Sequence, residues 1–163
     1  MASSAATCSH SPATKARPSK GARKTVRVGV IGLGYWGPNL VRNFHEVIGD
    51  DLRAACDRDT ARAAAIGNRY PNLRMTCDAD AVLTDPEIDA VALATPVNSH
   101  YPLAKAALEA GKSVLVEKPL TADVGQAEEL VDLARRKGLV RMVDHVCVYS
   151  PPVRKMKALV ESG

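Results

Sequence analysis

The 163-residue sequence predicts an α/β fold, built as a doubly wound parallel sheet. Three observations predict it. Short apolar, β-branched runs alternate with helical apolar patterns from Val26 onward, a glycine-rich turn joins the first run to the first helical stretch, and glycines or turn residues close the later helical stretches. Units of this kind cross over right-handed and leave their strands parallel. The composition agrees: 46% hydrophobic and 25% charged residues is an ordinary globular balance. No apolar run approaches the roughly 20 residues that a membrane-spanning helix needs, so no membrane partner is expected.

Taken in order, the first strand is expected over Val26–Ile31, apolar enough to be buried on both faces. Pro38 stands where a helix begins, and Leu40, Val41, Phe44 and Val47 recur at helical spacing up to Gly49-Asp50. Leu52–Cys56 is the second strand, ending at Asp57, and Asp59 or Thr60 caps an alanine-rich helix to about Arg69. Arg74–Thr76 reads as a brief third strand, 79–83 as a short helix and 90–94 as the fourth strand. A helix from about Ser99 to Ala110 stops at Gly111, and the fifth strand, Ser113–Val116, runs into Glu117-Lys118-Pro119. Asp123 with Gln126 forms a capping box for a helix to Lys137, stopped by Gly138, before a sixth strand over Leu139–Val143. Pro151-Pro152 opens a last helix with Val153, Met156, Leu159 and Val160 on one face, a face that needs something to pack against.

The net charge of +4 is misleading as a sign of nucleic-acid binding. Lys15, Arg17, Lys20, Arg23 and Lys24 all lie in 1–24, which holds no Asp or Glu, so the remainder of the chain is slightly acidic. That tail, rich in Ala, Ser, Thr and Pro, is expected to be a disordered leader, loosely similar to an organelle transit peptide, and no nucleic-acid partner is expected. Cys8, Cys56, Cys77 and Cys147 show no C-x-x-C spacing. They read as reduced thiols of a cytoplasmic protein, with no metal site.

Gly32-Leu33-Gly34-Tyr35-Trp36-Gly37 follows a strand and opens a helix, and Asp57 lies twenty residues beyond Gly37 at the end of the next strand. That context turns a common glycine pattern into a Rossmann-type dinucleotide fingerprint. Gly32 allows the tight turn, Gly34 lets the backbone approach a pyrophosphate, and Gly37 permits close packing; the helix N-terminus, reached through Tyr35 and Trp36, offers N–H groups to the anion. Asp57 is expected to accept hydrogen bonds from ribose hydroxyls, favouring NAD, whereas Arg58 suits a 2′-phosphate and keeps NADP open. A second group, Thr95-Pro96-Val97-Asn98-Ser99-His100 with Glu117-Lys118-Pro119, stands at the carboxyl ends of the fourth and fifth strands. Open parallel sheets bind ligands outside that edge.

On these segments the sequence, from about Thr25 onward, resembles the N-terminal half of the Gfo/Idh/MocA oxidoreductases, the glucose-fructose oxidoreductase and inositol dehydrogenase family. The resemblance implies that Thr95 and Pro96 line the path from adenine ribose to nicotinamide, with Asn98 and His100 nearby, and that Glu117 and Lys118 bound the nicotinamide end. It makes Lys118 the catalytic residue, an ammonium that orients a substrate hydroxyl and stabilises the developing alkoxide. Pro119, often joined through an unusual peptide geometry in the family, would fix the direction of Lys118. The Gly34-Tyr35-Trp36-Gly37-Pro38-Asn39 wording, with Tyr149-Ser150-Pro151 and Val153-Arg154, is most similar to members acting on nucleotide-linked sugars.

Asp144 departs from the pattern, standing where the family commonly has a small residue ahead of a histidine, so His145 is expected to be structural. Family members continue into an α/β substrate domain that these residues lack. The expected organisation is therefore a tail (1–24), a dinucleotide-binding Rossmann domain (25–145) and the start of a linker and second-domain helix (146–163) of a truncated or partial chain. The expected activity is NAD(P)-dependent dehydrogenation of a sugar, polyol or nucleotide-sugar hydroxyl, in a protein that forms homo-oligomers at full length. The alternative is a non-catalytic dinucleotide-binding module docking on another chain.

Overall fold

The computed structural model describes residues 25–163, and the basic tail, 1–24, lies outside the described residues. Six parallel strands form one sheet: β1 (Val28–Ile31), β2 (Leu52–Cys56), β3 (Arg74–Thr76), β4 (Ala90–Leu93), β5 (Ser113–Glu117) and β6 (Arg141–Asp144). Their order is β3-β2-β1-β4-β5-β6. The chain starts in the middle, winds out to one edge, then returns and winds to the other, so its direction reverses between β1 and β4. A crevice opens at that switch point because the loops leaving these two strands run to opposite faces.

The helices are α1 (Gly37–Ile48), α2 (Thr60–Arg69), α3 (Asp80–Leu83), α4 (His100–Glu109), α5 (Val124–Lys137) and α6 (Pro151–Ser162). β1 is buried throughout and alternates between two cores: Val28 and Val30 join Leu40, Val41 and Ile66 under α1 and α2, while Ile31 joins Leu83, Leu108 and Leu130 under α3, α4 and α5. Each large aliphatic side chain so buried contributes about 1.5–3 kcal/mol against exposure. Local chemistry fixes the helix ends. The Asp59 carboxylate accepts the Ala61 and Arg62 N–H groups (2.9 and 3.2 Å), Asp123 accepts the Gln126 N–H (2.9 Å), and Gly138 closes α5 in the left-handed conformation.

Two strands and one helix face differ most from the sequence expectation. The first strand begins at Val28, because Arg27 is clamped to Asp89 at the sheet's amino edge and Val26 is left 54% exposed. In α1 the inward position falls to Ile48, near the centre of the face set by Leu40, Val41 and Phe44, and Val47 is 80% exposed. The sixth strand is Arg141–Asp144 instead of Leu139–Val143; Leu139 packs on the core, and the Val140 N–H donates to Ser113 Oγ. The last helix forms as expected, but Met156, Leu159 and Val160 are exposed among the described residues. No described helix is long and apolar enough to cross a membrane.

Candidate functional site

The turn leaving β1 is shaped by contacts that a side chain would destroy. Gly32 has φ +97°, and a Cβ there would stand 2.6 Å from the Ala94 carbonyl carbon; at Gly37 a Cβ would fall 2.0 Å from the Gly32 carbonyl oxygen. The close packing expected at Gly37 is thus between the start of α1 and the residue just past β1. Gly34 differs, since the one atom near its Cβ position is Arg62 Nη1 at 3.7 Å, and the space beyond is the cleft.

Backbone donors then decide what the loop can hold. The Gly32 N–H goes to the Cys56 carbonyl (2.8 Å) and the Leu33 N–H to Asp57 Oδ2 (2.6 Å). The N–H groups of Gly34, Tyr35, Trp36 and Gly37 have no acceptor among the described residues. Consecutive free amides at a helix N-terminus, with no Cβ on Gly34 in the way, form a cradle for an anion such as a pyrophosphate. The residues present fit a dinucleotide.

The cleft above this edge has a volume of about 790 Å³. Gly32, Gly34, Tyr35, Trp36, Asp57, Arg58, Thr95, Pro96, His100, Glu117 and Lys118 all line it. Gly37 lies behind the turn, and Asn98 is an exposed residue of the Val97–Ser99 turn that does not line the cleft. Asp57 is tied into the loop: Oδ1 accepts the Asp59 N–H (2.8 Å), Oδ2 the Leu33 N–H, and Arg62 Nη1 stands 3.9 Å away. Arg62 also pairs with Asp59 and lines the cleft beside Arg58. Sequence reasoning passed over Arg62, although its place in the first turn of the helix after Asp57 was a usable signal.

At the other end, His100 is 1% exposed, and its Nδ1 and Nε2 lie 2.8 Å from the Pro119 and Thr95 carbonyl oxygens. The ring therefore ties the end of β4 to the turn after β5, with neither nitrogen free toward the cleft. Ser99 Oγ donates to the Pro96 carbonyl (2.7 Å) and lies 2.8 Å from Thr95 Oγ1. The Lys118–Pro119 peptide bond is cis. Glu117 Oε2 accepts the Lys118 N–H (3.1 Å), whereas Oε1 is buried without a hydrogen-bond partner among the described residues. Burial pushes the Glu117 carboxyl up from its ordinary range, the Asp144 carboxyl from β6 adds to this, and Lys118 offsets part of it.

Fold and cleft together define a dinucleotide-binding domain of the Rossmann class. Residues 26–145 match the family model of the Gfo/Idh/MocA oxidoreductases, described as an oxidoreductase family with an NAD-binding Rossmann fold, and the chain belongs to that family. It is 37% identical over 142 residues to inositol 2-dehydrogenase 3 of Saccharopolyspora erythraea, covering 85% of this chain and 41% of that protein. UDP-N-acetylglucosamine 3-dehydrogenase of Acidithiobacillus ferrooxidans is 30% identical, and its solved structure superposes with a TM-score of 0.73 over 82% of this chain and 42% of that one. A 3-ketoreductase from Actinomadura kijaniata, solved with NADP and TDP-benzene, gives a TM-score of 0.77 at 31% identity over 85% of this chain and 42% of its own. The chain thus spans about two-fifths of the length of these relatives.

Proposed function

We propose that the chain is the cofactor-binding part of an NAD(P)-dependent oxidoreductase that moves hydride between nicotinamide and a sugar or polyol hydroxyl, with nucleotide-linked sugars as the first substrates to test. The single observation that carries the reading is the cleft that joins the acceptorless amides of Gly34, Tyr35 and Trp36 to Lys118 at its far end. The amides hold the pyrophosphate, Asp57 meets the adenosine ribose, Thr95 and Pro96 line the path between, and Glu117 and Lys118 bound the nicotinamide end. When bound, the nicotinamide accepts or supplies the hydride. Lys118 orients the substrate oxygen, giving it a proton in reduction and taking that proton back in oxidation while it stabilises the developing alkoxide. On this reading the setting is cytoplasmic, and the resemblance supports a homo-oligomer at full length. The segment 146–163 belongs on this reading to the junction with a substrate domain.

Trp36 stands in the cleft and gives a direct test. Titrating NADH into the 163-residue chain is expected to quench its fluorescence saturably, and Gly34→Val to abolish the effect; an unresponsive tryptophan overturns the reading. NAD is favoured through Asp57, and Arg58 and Arg62 at the same end keep NADP in the comparison, so NADPH is titrated alongside. Steady-state assays of this chain over a panel of sugars are expected to show little NAD reduction, because these residues alone do not position a reacting carbon. A second reading, a non-catalytic module that senses the dinucleotide and docks through α6, is favoured by the exposed face of Met156, Leu159 and Val160. It predicts that Lys118→Ala leaves function intact while Gly34→Val destroys it.

A further inference from the structure

β5 and β6 end together at the carboxyl edge, and in their parallel register Glu117 lies opposite Asp144. Side chains opposite each other on neighbouring strands stand on the same face about 5 Å apart, so two carboxylates there repel one another unless something comes between them. The surroundings supply little to do so. Glu117 is half-buried, one of its oxygens is already used by the Lys118 N–H, and the other is shut from solvent with no donor among the described residues. The charged groups acting on it are Asp144 across the sheet and Lys118 next in the chain. His145 follows Asp144, and His100, on α4, has both ring nitrogens engaged by carbonyl oxygens.

We propose that Glu117 and Asp144 act as one carboxyl pair that holds a single proton and serves as the proton store of the crevice beside Lys118. A proton between the two acids removes the like-charge repulsion and leaves the pair with one negative charge to face the Lys118 ammonium. Both Glu117 and Lys118 line the cleft, whereas Asp144 stands behind Glu117 and acts through it. The chemistry rests on the oxidoreductase reading above. In carbonyl reduction, hydride arrives at carbon, the Lys118 ammonium gives its proton to the oxygen, and the acid of the pair returns a proton to Lys118, to be replaced from water. Oxidation runs the same proton outward. Burial and the Asp144 carboxyl hold the Glu117 proton to higher pH than an ordinary glutamate keeps it, in agreement with this placement.

The test needs no turnover. In the 163-residue chain labelled with ¹³C at side-chain carboxyls, one carboxyl assigned to the pair is expected to titrate above the ordinary carboxylate range. That signal should disappear in Glu117→Gln and move down in Asp144→Asn, with circular dichroism showing that both variants keep the fold. If wild-type Glu117 and Asp144 both titrate in the ordinary range, or if Asp144→Asn leaves the Glu117 titration where it was, the pair is refuted. The wild-type titration decides even if a variant fails to fold. NADH quenching of Trp36 is read on the same samples. A chain that titrates as expected but ignores NADH keeps the pair and loses the cofactor assignment; one that binds NADH without the raised titration does the reverse.

Discussion

The two edges of the sheet use hydrogen-bonding groups in opposite ways. At the amino edge most strong donors are engaged, with Arg53 Nε, buried without a partner among the described residues, as the exception. Arg27 donates through its backbone N–H, Nε and Nη2 to the Asp89 carboxylate (3.0, 2.9 and 2.9 Å) and pairs with Glu87, and Arg74 pairs with Asp85. Lys112, 5% exposed, gives its ammonium to the Asp85 and Ile88 carbonyls at 2.6 and 2.7 Å. At the carboxyl edge, four backbone N–H groups and the Glu117 Oε1 acceptor are left over within the described residues. Both edges terminate the same strands, so the contrast is not imposed by the sheet. An edge that satisfies itself contributes to stability, and one that leaves donors over has capacity for a ligand.

Exchanging the properties of the two edges gives the sharpest test. Gly37→Ala has the largest expected effect, since its methyl would meet the Gly32 carbonyl oxygen at 2.0 Å and force the loop open. Overpacking of this kind costs about 1–3 kcal/mol of stability. NADH affinity, measured by Trp36 quenching, should fall about 100-fold, which corresponds to about 2.8 kcal/mol. An alanine variant that binds NADH as the parent does would show that the turn is not the ligand-holding element.

Lys112→Met should do the opposite. The buried Ile88 carbonyl loses its donor and the Asp85 carbonyl keeps only the Ile88 N–H (3.2 Å), at a cost of about 2 kcal/mol, seen as a drop of several degrees in Tm, while NADH affinity changes less than about twofold. The parent bears one penalty that partly offsets this loss, for burial pushes the Lys112 ammonium below its ordinary range, with Asp85 and Asp89 opposing the shift. A lysine with a lowered folded pKa destabilises below that pKa and ceases to do so as pH rises toward its unfolded value. The deficit of Lys112→Met in thermal scans is therefore expected to widen toward alkaline pH.

Asp57→Asn should have a smaller effect on stability than Lys112→Met and an effect on NADH affinity between those of the other two. Its carboxylate accepts one N–H on each oxygen, from Leu33 and from Asp59, and an amide must turn an NH₂ toward one of them. The mismatch costs about 1 kcal/mol, so NADH affinity should fall about fivefold and Tm by roughly 2–4 °C. Unchanged affinity would mean that the loop keeps its shape without Asp57.

The contrast between the edges was only half legible in the sequence. Every residue of the glycine turn could be placed, because its spacing from Val30-Ile31 and from Asp57 is local and Gly32 and Gly37 answer steric demands. Helix caps were legible for the same reason, as Asp59 and Asp123 act on amides two or three residues away. The amino-edge clasp was not. It joins residues 27, 85, 89 and 112, which only the completed sheet brings together, and a lysine between Gly111 and Ser113 gives no sign in sequence that it will be buried. The engagement of His100 by two carbonyls and the pairing of Glu117 with Asp144 depend likewise on contacts across the sheet. The exchange of Val47 for Ile48 on the inner face of α1 has another cause, for helical spacing alone allows either residue and packing against the sheet selects one.

Glu117→Gln has the smallest expected effect and tests whether the open edge carries a stability cost. A carboxyl whose folded pKa is raised above its unfolded value contributes stability that is complete below the unfolded pKa and is lost as pH rises through the folded one. Burial and Asp144 raise Glu117, so the parent should lose stability on leaving the acid range, and the uncharged glutamine should not. In thermal scans from pH 5 to about 8.5, the Tm of Glu117→Gln relative to the parent is expected to rise with pH. Asp144→Asn, which removes the second charge but leaves Glu117 buried, should show the same trend more weakly. Flat differences across that range would mean that the carboxyl edge bears no penalty from this pair, and that its readiness for a ligand resides in the backbone amides of the glycine turn.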